Sequence, residues 1–375
     1  MKNKIVLASA FLAASSFSTA EIVVNDFLSF EGFVDMSYSH SDVEFAGDKG
    51  NENSFGVDQV EISWLFDFDP VTAQIDLAHL GSDNTRVNRA ELDNTGVEQA
   101  FATYHMDNGS AVTAGMYASM LGFEAFEPTG LYQFSFAYDM LIGDTTVLPG
   151  YAQGVKYTYE TDTSFFGISL QDEAFDNGEN ALGGNPESSY AVEVAGSLIL
   201  ADGLTGFLGA AYEDAEDADN YAINAYLTYE TGAWIFAAEF NYADIESGSA
   251  LAGIGAQTAI DTFGGPLDAT NTFGSNEEAM QFLLMANFAY SEQASITGRI
   301  SYTDHEADLD AAGIPVALEA DAMKFTLAHG YAFTDNLFLV TELSYVDGSF
   351  DTDNAALAGD DFDGLQAAVE LIFSF

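Results

Sequence analysis

GLQAAVELIFSF, the stretch at residues 364–375, alternates between apolar and mixed positions up to its last residue. The odd-numbered positions are all apolar, whereas the even-numbered ones include Gln366, Glu370 and Ser374. Because a β-strand sends successive side chains to opposite faces, this stretch predicts one strand with an apolar face and a mixed one. A soluble partner sheet could bury the apolar face. A bilayer could bury it only in a closed barrel, since unpaired backbone groups in hydrocarbon are costly.

The same alternation recurs along the chain and predicts roughly 16 strands, each near the ~9–11 residues that cross a bilayer at a tilt. The predicted tight turns carry the usual turn residues. They lie at Asp69-Pro70, Asn108-Gly109, Thr161-Asp162, Asp202-Gly203, Thr231-Gly232, 291–293 and 334–336. Longer acidic connections alternate with them at 81–96, 123–149, 246–275 and 347–361. Tight turns at one end and long loops at the other are typical of an outer-membrane barrel.

Carboxylates in these strands decide between a soluble and a membrane sheet. They stand opposite an apolar face at Glu61, Asp76, Glu193, Glu230, Glu239, Glu342 and Glu370. A soluble β-sandwich or β-helix would need few carboxylates on its inward faces, and these can face water only if the apolar face is the outer one. The sequence therefore predicts an all-β, transmembrane antiparallel barrel with short periplasmic turns, long extracellular loops and an acidic lumen.

Composition limits the remaining classes of protein. The chain has 8 Lys plus Arg against 60 Asp plus Glu and a formal net charge of −52, which repels nucleic acid. Its 48% hydrophobic content is too high for disorder, and without Cys it does not rely on disulfides. Residues 1–20 combine Lys2 and Lys4 with a short apolar stretch and a small-residue end, which predicts a cleaved secretory signal peptide before a barrel domain at 21–375.

Three stretches resemble Gram-negative outer-membrane porins, and most of all the OmpL-like β-barrel porin family. They are FLSFEGFVDMSYS at 27–39, VTAGMYASMLGFEAFEPTGLYQFSFAY at 112–138, and the terminal Phe375. The chain lacks the Pro-Glu-Phe-Gly-Gly signature of enterobacterial general porins. The resemblance implies passive diffusion of small hydrophilic solutes and ions in the outer membrane, with outer-membrane lipids and lipopolysaccharide as partners. It also implies insertion by the barrel-assembly machinery through Phe375, and a homotrimer, since trimers are common among such porins.

A barrel of ~16–18 strands leaves an aqueous lumen, so something must narrow it. The third long loop, 123–149, is unusually aromatic and is predicted to fold inward, although an outward loop packed on its neighbours is the alternative. Basic residues at Lys156, Arg299 and Lys324 are expected to line the pore, with Arg86 and Arg89 in the second long loop. Acidic residues Glu124, Glu127, Asp139 and Asp144 are expected to oppose them in the third loop. The alternative is charge neutralisation in a crowded acidic lumen. In either case cations should be enriched inside.

Two other function classes stay open at this stage: an outer-membrane enzyme, and a surface adhesin or receptor on a barrel scaffold. Five scattered His residues do not form a recognisable catalytic motif, although triads are defined by geometry rather than spacing. The acidic stretches 304–310 and 351–354 could bind Ca²⁺ weakly but lack EF-hand spacing, and solvated acidic segments are the alternative. We therefore expect a non-enzymatic channel without a cofactor or a bound metal.

Overall fold

The computed structural model describes residues 21–45, 47–80, 96–141, 143–175, 190–215, 218–246, 275–310, 315–352 and 360–375. The predicted signal peptide, Arg86 and Arg89 lie outside the described residues.

Nineteen strands and one turn of 3-10 helix at Pro128–Gly130 make up the described regular structure. In chain order the strands are β1 (Ile22–Asn25), β2 (Leu28–Phe45), β3 (Asp48–Asp67), β4 (Val71–Leu80), β5 (Gly96–His105), β6 (Ser110–Ala118), β7 (Asp139–Met140), β8 (Gly143–Asp144), β9 (Tyr151–Glu160), β10 (Ser164–Gln171), β11 (Tyr190–Ala201), β12 (Leu204–Ala215), β13 (Ala218–Thr231), β14 (Trp234–Ile245), β15 (Ser275–Ser291), β16 (Ala294–Asp310), β17 (Pro315–Thr334), β18 (Leu337–Thr352) and β19 (Asp360–Ser374).

Sixteen of these strands form one closed antiparallel barrel, as the alternation predicts. The short strand β1 is an addition that pairs with the start of β2, and β7 and β8 pair only with each other. Around the ring each strand pairs with its neighbour in sequence, with β6 joining β9 across the long connection. The ring closes where β19 pairs with β2, from Phe362 opposite Phe45 to Ser374 opposite Phe33.

Alternation along the strands separates a lipid-type outer face from the lumen. In β19 the side chains of Leu365, Val369 and Phe373 are each more than two-fifths exposed, whereas Glu370 and Ile372 point inward and are buried. Outward Leu, Ile, Phe, Tyr and Trp residues recur on the other barrel strands. No helix among the described residues is long and apolar enough to cross a membrane.

Every predicted tight turn occurs, and all of them lie at one end of the barrel, the short-turn end. Gly109 and Gly203 adopt the positive φ angles, +84° and +72°, that such turns need and that other residues rarely adopt. The opposite, long-loop end is more varied than expected, because β2–β3 and β12–β13 are joined there by connections of only two residues, 46–47 and 216–217. Both described chain ends lie at the short-turn end.

The last residue completes the closure. The N–H of Phe375 donates to the carbonyl of Gly32 at 2.9 Å, and the N–H of Gly32 donates to the carbonyl of Phe375 at 2.8 Å. The Phe375 ring lies 6.4 Å from that of Phe30 and 5.9 Å from that of Phe373. The terminal aromatic therefore fastens the barrel seam between β19 and β2.

We predict that Phe375→Ala lowers the amount of assembled barrel, because it removes the ring that packs across the seam. The measurement is the fraction of heat-modifiable protein in outer membranes. Phe333→Ala, which removes an exposed ring from the same end of β17, is the control and should leave assembly near normal. Equal assembly of both variants and the unaltered chain would contradict a special role for Phe375.

Candidate functional site

The connection between β6 and β9, residues 119–150, enters the barrel and lies against its inner wall; we call it the inner loop. It begins four residues earlier than the predicted loop 123–149, because β6 ends at Ala118. Met120, which precedes the predicted loop, packs within the lumen beside Leu121, Phe165 and Phe207. The inward orientation is thus the one the aromatic content favours.

Apolar side chains of the inner loop pack against alanines and larger apolar residues of the wall. Phe123 and Tyr138 pack with Ala237, Leu283 and Met285 on β14 and β15. The other contacts follow the same scheme around the barrel, with Phe134 against Ala328, Val340 and Ala368, Met140 against Ala322, Val346 and Phe362, and Val147 against Ala222, Ala243, Ile245 and Ala279. Each of these contacts includes at least one inward alanine, which leaves room for the loop side chain.

Glycines extend this fit. A Cβ atom added at Gly209 would overlap Leu121, and one added at Gly167 would overlap Met120. On the far side of the barrel, a Cβ at Gly364 would lie 2.6 Å from the Cδ1 atom of Leu141. The inner loop therefore packs against wall positions at which the sequence has glycine.

Carboxylates of the wall accept the backbone N–H groups of the inner loop. Glu193 accepts from the N–H of Met120 at 2.6 Å and the hydroxyl of Ser119 at 2.7 Å. Glu239 accepts from the N–H of Phe123 at 2.8 Å. Glu342 accepts from the N–H groups of Phe134 at 2.8 Å and Ser135 at 3.0 Å, and from the Ser135 hydroxyl at 2.6 Å. These irregular segments lack a strand partner, so the carboxylates satisfy donors that would otherwise be buried unpaired.

The hydroxyl of Tyr138 adds a side-chain bond to the same carboxylate, since it donates to Glu239 at 3.1 Å. Burial raises the pKa of Tyr138 well above its ordinary value, and the neighbouring Glu239 carboxylate adds to the effect. The phenol therefore stays protonated and remains a donor at neutral pH.

Basic residues hold the carbonyl groups of the inner loop. Arg299 forms a 2.6 Å ion pair with Glu124 and donates to the carbonyls of Ser135 at 2.8 Å and Phe136 at 3.1 Å. Lys324 donates to the carbonyls of Phe136 at 3.2 Å and Asp139 at 2.7 Å. Both side chains are almost completely buried. Arg299 and Lys324 thus fasten the loop to β16 and β17, a role that differs from the expected lining of an open eyelet.

Lys156 lies on the inner face of β9 in a third setting. Its Nζ atom is 4.3 Å from the centre of the Tyr117 ring and 3.5 Å from the carbonyl oxygen of Ala118, the last residue before the inner loop. A cation over an aromatic face is stabilised by the ring quadrupole. Lys156 therefore supports the point at which the chain leaves the wall.

A second group of carboxylates lies on the wall formed by β2–β5, which we call the carboxylate wall and define by Asp35, Asp58, Glu61, Asp76 and Glu98. All five side chains are less than a tenth exposed. One oxygen each from Glu61, Glu98 and the loop residue Glu127 lie within 4.8 Å of one another. Gln59 donates to Glu127 at 2.7 Å and to Glu61 at 3.2 Å.

Asp76 lies deeper in the same wall, where Gln74 and Gln99 donate to it at 2.9 Å and 2.7 Å. These two amide donors hold the carboxylate in place on the inner face of β4. Together with Glu127 of the inner loop, the carboxylate wall makes one side of the lumen strongly acidic.

The remaining predicted residues are more scattered. Glu370 is buried on the inner face of β19. Glu230 has the inward parity of Asn224 and Thr228, but it is the next-to-last residue of β13 and is exposed at the short-turn end. Its predicted position in the lumen is therefore wrong. Asp139 meets Lys324 through its carbonyl, and the side chain of Asp144 lies outside the described part of the chain.

Sequence reasoning missed several inward groups. Glu213 accepts from the N–H groups of Ala174 at 2.5 Å and Phe175 at 2.9 Å, as the other glutamates do for the inner loop. Glu277 and His305 form a buried pair with 2.5 Å between Oε1 and Nδ1. Alternation alone would have placed Glu213, Glu277 and His305 on the inner face, but nothing in the sequence indicated their partners.

Comparison with known proteins agrees with this architecture. The chain matches the family described as "Putative beta-barrel porin-2, OmpL-like" over residues 28–375. No curated protein matches the chain in sequence.

Solved outer-membrane proteins share the fold at low identity. The chain is similar to Salmonella typhi OmpF in complex with daunomycin, at 19% identity, with 95% of this chain and 100% of that chain covered and a TM-score of 0.57. It is similar to an anion-selective porin from Comamonas acidovorans, at 13% identity, 93% and 99% coverage and a TM-score of 0.57. It is also similar to the trimer form of Vibrio cholerae OmpT, at 12% identity, 93% and 99% coverage and a TM-score of 0.52.

At these identities the solved structures show the fold alone. The family match is the stronger finding, because it covers nearly all of the described barrel. The barrel, its inner loop and this match lead to one conclusion: the chain belongs to the OmpL-like β-barrel porin-2 family of outer-membrane proteins.

Proposed function

We propose that this protein is an outer-membrane diffusion channel for small hydrophilic solutes and ions, and that it prefers cations. The observation that carries the preference is the separation of charge inside the barrel. Arg299 and Lys324, on β16 and β17, are bonded to the inner loop, whereas Glu127 of that loop lies beside the carboxylate wall on β2–β5. We propose that permeating ions pass beside this wall.

Fixed negative charge in a narrow, low-dielectric passage raises the local concentration of cations. Among the described lumenal cations, Lys156 lies over the Tyr117 ring, whereas Arg299 and Lys324 are bonded to the inner loop. Replacing these two residues would therefore disturb the loop before it changed selectivity.

The inner loop also supports a size limit. It packs against inward side chains from β10 round to β19, and many of the inward residues on the described strands are buried. A barrel with an inner loop across much of its width leaves a passage for small solutes rather than a wide pore. We therefore propose a low unitary conductance.

The anion-selective porin among the structural neighbours does not argue against cation preference. At 13% identity it shares the backbone architecture, while selectivity depends on which side chains line the passage. The acidic wall is a property of this chain's own residues.

We further propose the cellular arrangement. Residues 1–20 are removed as a signal peptide, the short-turn end faces the periplasm, and Phe375 acts as the assembly signal for the barrel-assembly machinery. A homotrimer is proposed because one solved neighbour is described as a trimer form.

Reversal potentials in planar bilayers under a KCl gradient test the selectivity. We predict a cation-selective potential at low salt that weakens at molar salt, because the Debye length falls from ~10 Å at 0.1 M to ~3 Å at 1 M. Glu61→Gln should shift the low-salt potential towards zero. Its matched control is Glu230→Gln, which removes the same charge at the exposed rim and should have little effect.

An anion-selective potential at low salt would overturn the charge argument. Equal effects of Glu61→Gln and Glu230→Gln would show that total charge, rather than the carboxylate wall, sets the preference. A correctly assembled barrel that carries no current would overturn the channel itself.

A second test addresses the fastening of the inner loop. We predict that Arg299→Met raises the unitary conductance and its noise, because breaking a buried ion pair by removing one partner costs about 3–5 kcal/mol and frees the loop. Arg299→Lys should be intermediate, since lysine keeps the charge but not the forked geometry. Recordings at 1 M KCl suppress the direct effect of the lost charge.

Lys49→Met is the control for this experiment. Lys49 is an exposed residue of β3 that bonds Glu44 at 2.6 Å outside the lumen, so its loss removes one cation without touching the loop. Unchanged conductance in a folded Arg299→Met barrel would contradict the proposed fastening.

A further inference from the structure

The outer wall of the barrel carries a groove that the channel function does not use. It has a volume of about 810 Å³, and its lining residues extend from β12 to β19. Ala286 and Gly298 form its floor at adjacent register positions, between Phe236 on β14 and Leu327 on β17. A Cβ atom added at Gly298 would meet nothing within 4 Å. With strands ~4.8 Å apart, the walls stand roughly 14 Å from each other, three strand spacings.

The groove becomes polar towards the short-turn end. A smaller hollow of about 310 Å³ adjoins it there and shares Leu327 and Leu343 with it. This hollow is lined in part by His329 and Thr341. The hydroxyl of Tyr290 lies 2.6 Å from Nε2 of His329, and the two rings stack at 5.9 Å.

We propose that this groove binds one phospholipid, with an acyl chain over Ala286 and Gly298 and the phosphate beside His329 and Tyr290. The order of polarity along the groove is that of the lipid, apolar in the hydrocarbon band and polar at the interface. Outward Trp234 packs on Phe236 at 5.5 Å at this same end, the level at which aromatic residues mark the membrane surface.

The phosphate contact follows from the hydrogen-bond inventory. When His329 Nε2 accepts a hydrogen bond from the Tyr290 hydroxyl, the neutral ring carries its proton on Nδ1, and that N–H can donate a hydrogen bond to a phosphate oxygen. The hydrocarbon contact follows from packing. The side chains that line an empty groove lack dispersion contacts on their open side, and an acyl chain in the groove would supply them. The proposal depends on the membrane setting of the barrel and is independent of its ion selectivity.

The two tryptophans of the chain make the groove measurable. Trp64→Phe leaves Trp234 beside the groove as the only indole. Trp234→Phe leaves Trp64 on β3, exposed on the outer wall away from the groove. The full chain, folded in detergent micelles, is titrated with phosphatidylethanolamine brominated on its acyl chains, and quenching of each tryptophan is recorded.

We predict that Trp234 reaches half-quenching at a lipid fraction about tenfold lower than Trp64 does, the difference between a binding site and an open surface. Gly298→Leu, which fills the floor, should raise the Trp234 value to that of Trp64. Tyr290→Phe should raise it in part. Ala210→Leu, the same kind of filling at an exposed outward position of β12, should leave it unchanged.

Equal quenching of the two tryptophans would overturn the proposal. So would a Trp234 response that survives Gly298→Leu in a barrel of normal heat-modifiable mobility. Loss of oligomers in native mass measurements of Gly298→Leu, with the Trp234 response unchanged, would overturn it in favour of a second copy of this chain as the occupant.

Discussion

Backbone N–H and C=O groups that cannot reach water must be bonded within the protein, and this constraint shapes both halves of the molecule. In the wall it is met by strand ladders that close on themselves, down to the paired backbone bonds of Gly32 and Phe375. In the lumen the inner loop has almost no ladder of its own, since β7 and β8 are two residues each. There the constraint is met by side chains of the wall.

The division of labour among those side chains follows from their chemistry. Carboxylates only accept, so Glu193, Glu239 and Glu342 meet the loop's N–H groups. Guanidinium and ammonium groups only donate, so Arg299 and Lys324 meet its carbonyls. Much of the inward charge on β10–β19 therefore holds the loop. In the proposed function, the carboxylates on β2–β5 act on permeating ions.

The fold could be predicted almost entirely, because each strand shows its own alternation of apolar and polar residues. Alternation in residues 364–375 assigned both faces of β19, and local turn chemistry located every connection at the short-turn end. The direction of the inner loop was also readable, since Phe134 and Tyr138 are poorly suited to solvent. The errors lay at strand ends, where a side chain keeps its inward parity but the strand has left the barrel wall. Glu230 is exposed at the end of β13, and the inner loop begins at residue 119 rather than 123.

The roles of the inward residues could not be predicted, because partners such as Arg299 and Glu124 are far apart in sequence. Alternation shows that Arg299 faces the lumen, but it does not show whether the side chain meets water or a loop there. A usable signal was present in the small inward residues, such as Ala237, Ala328 and Gly209, which leave space where the loop packs. Recognising them required knowing that something enters the barrel to fill that space.

Amide hydrogen exchange of residues 119–138 in the assembled barrel tests the central claim most directly. The N–H groups of Met120, Phe123, Phe134 and Ser135 are bonded to buried carboxylates of the wall. The account predicts protection of this segment close to that of the barrel strands, even though most of it has no strand partner. Exchange at the rate of an unstructured peptide, in a barrel whose strands remain protected, would contradict it.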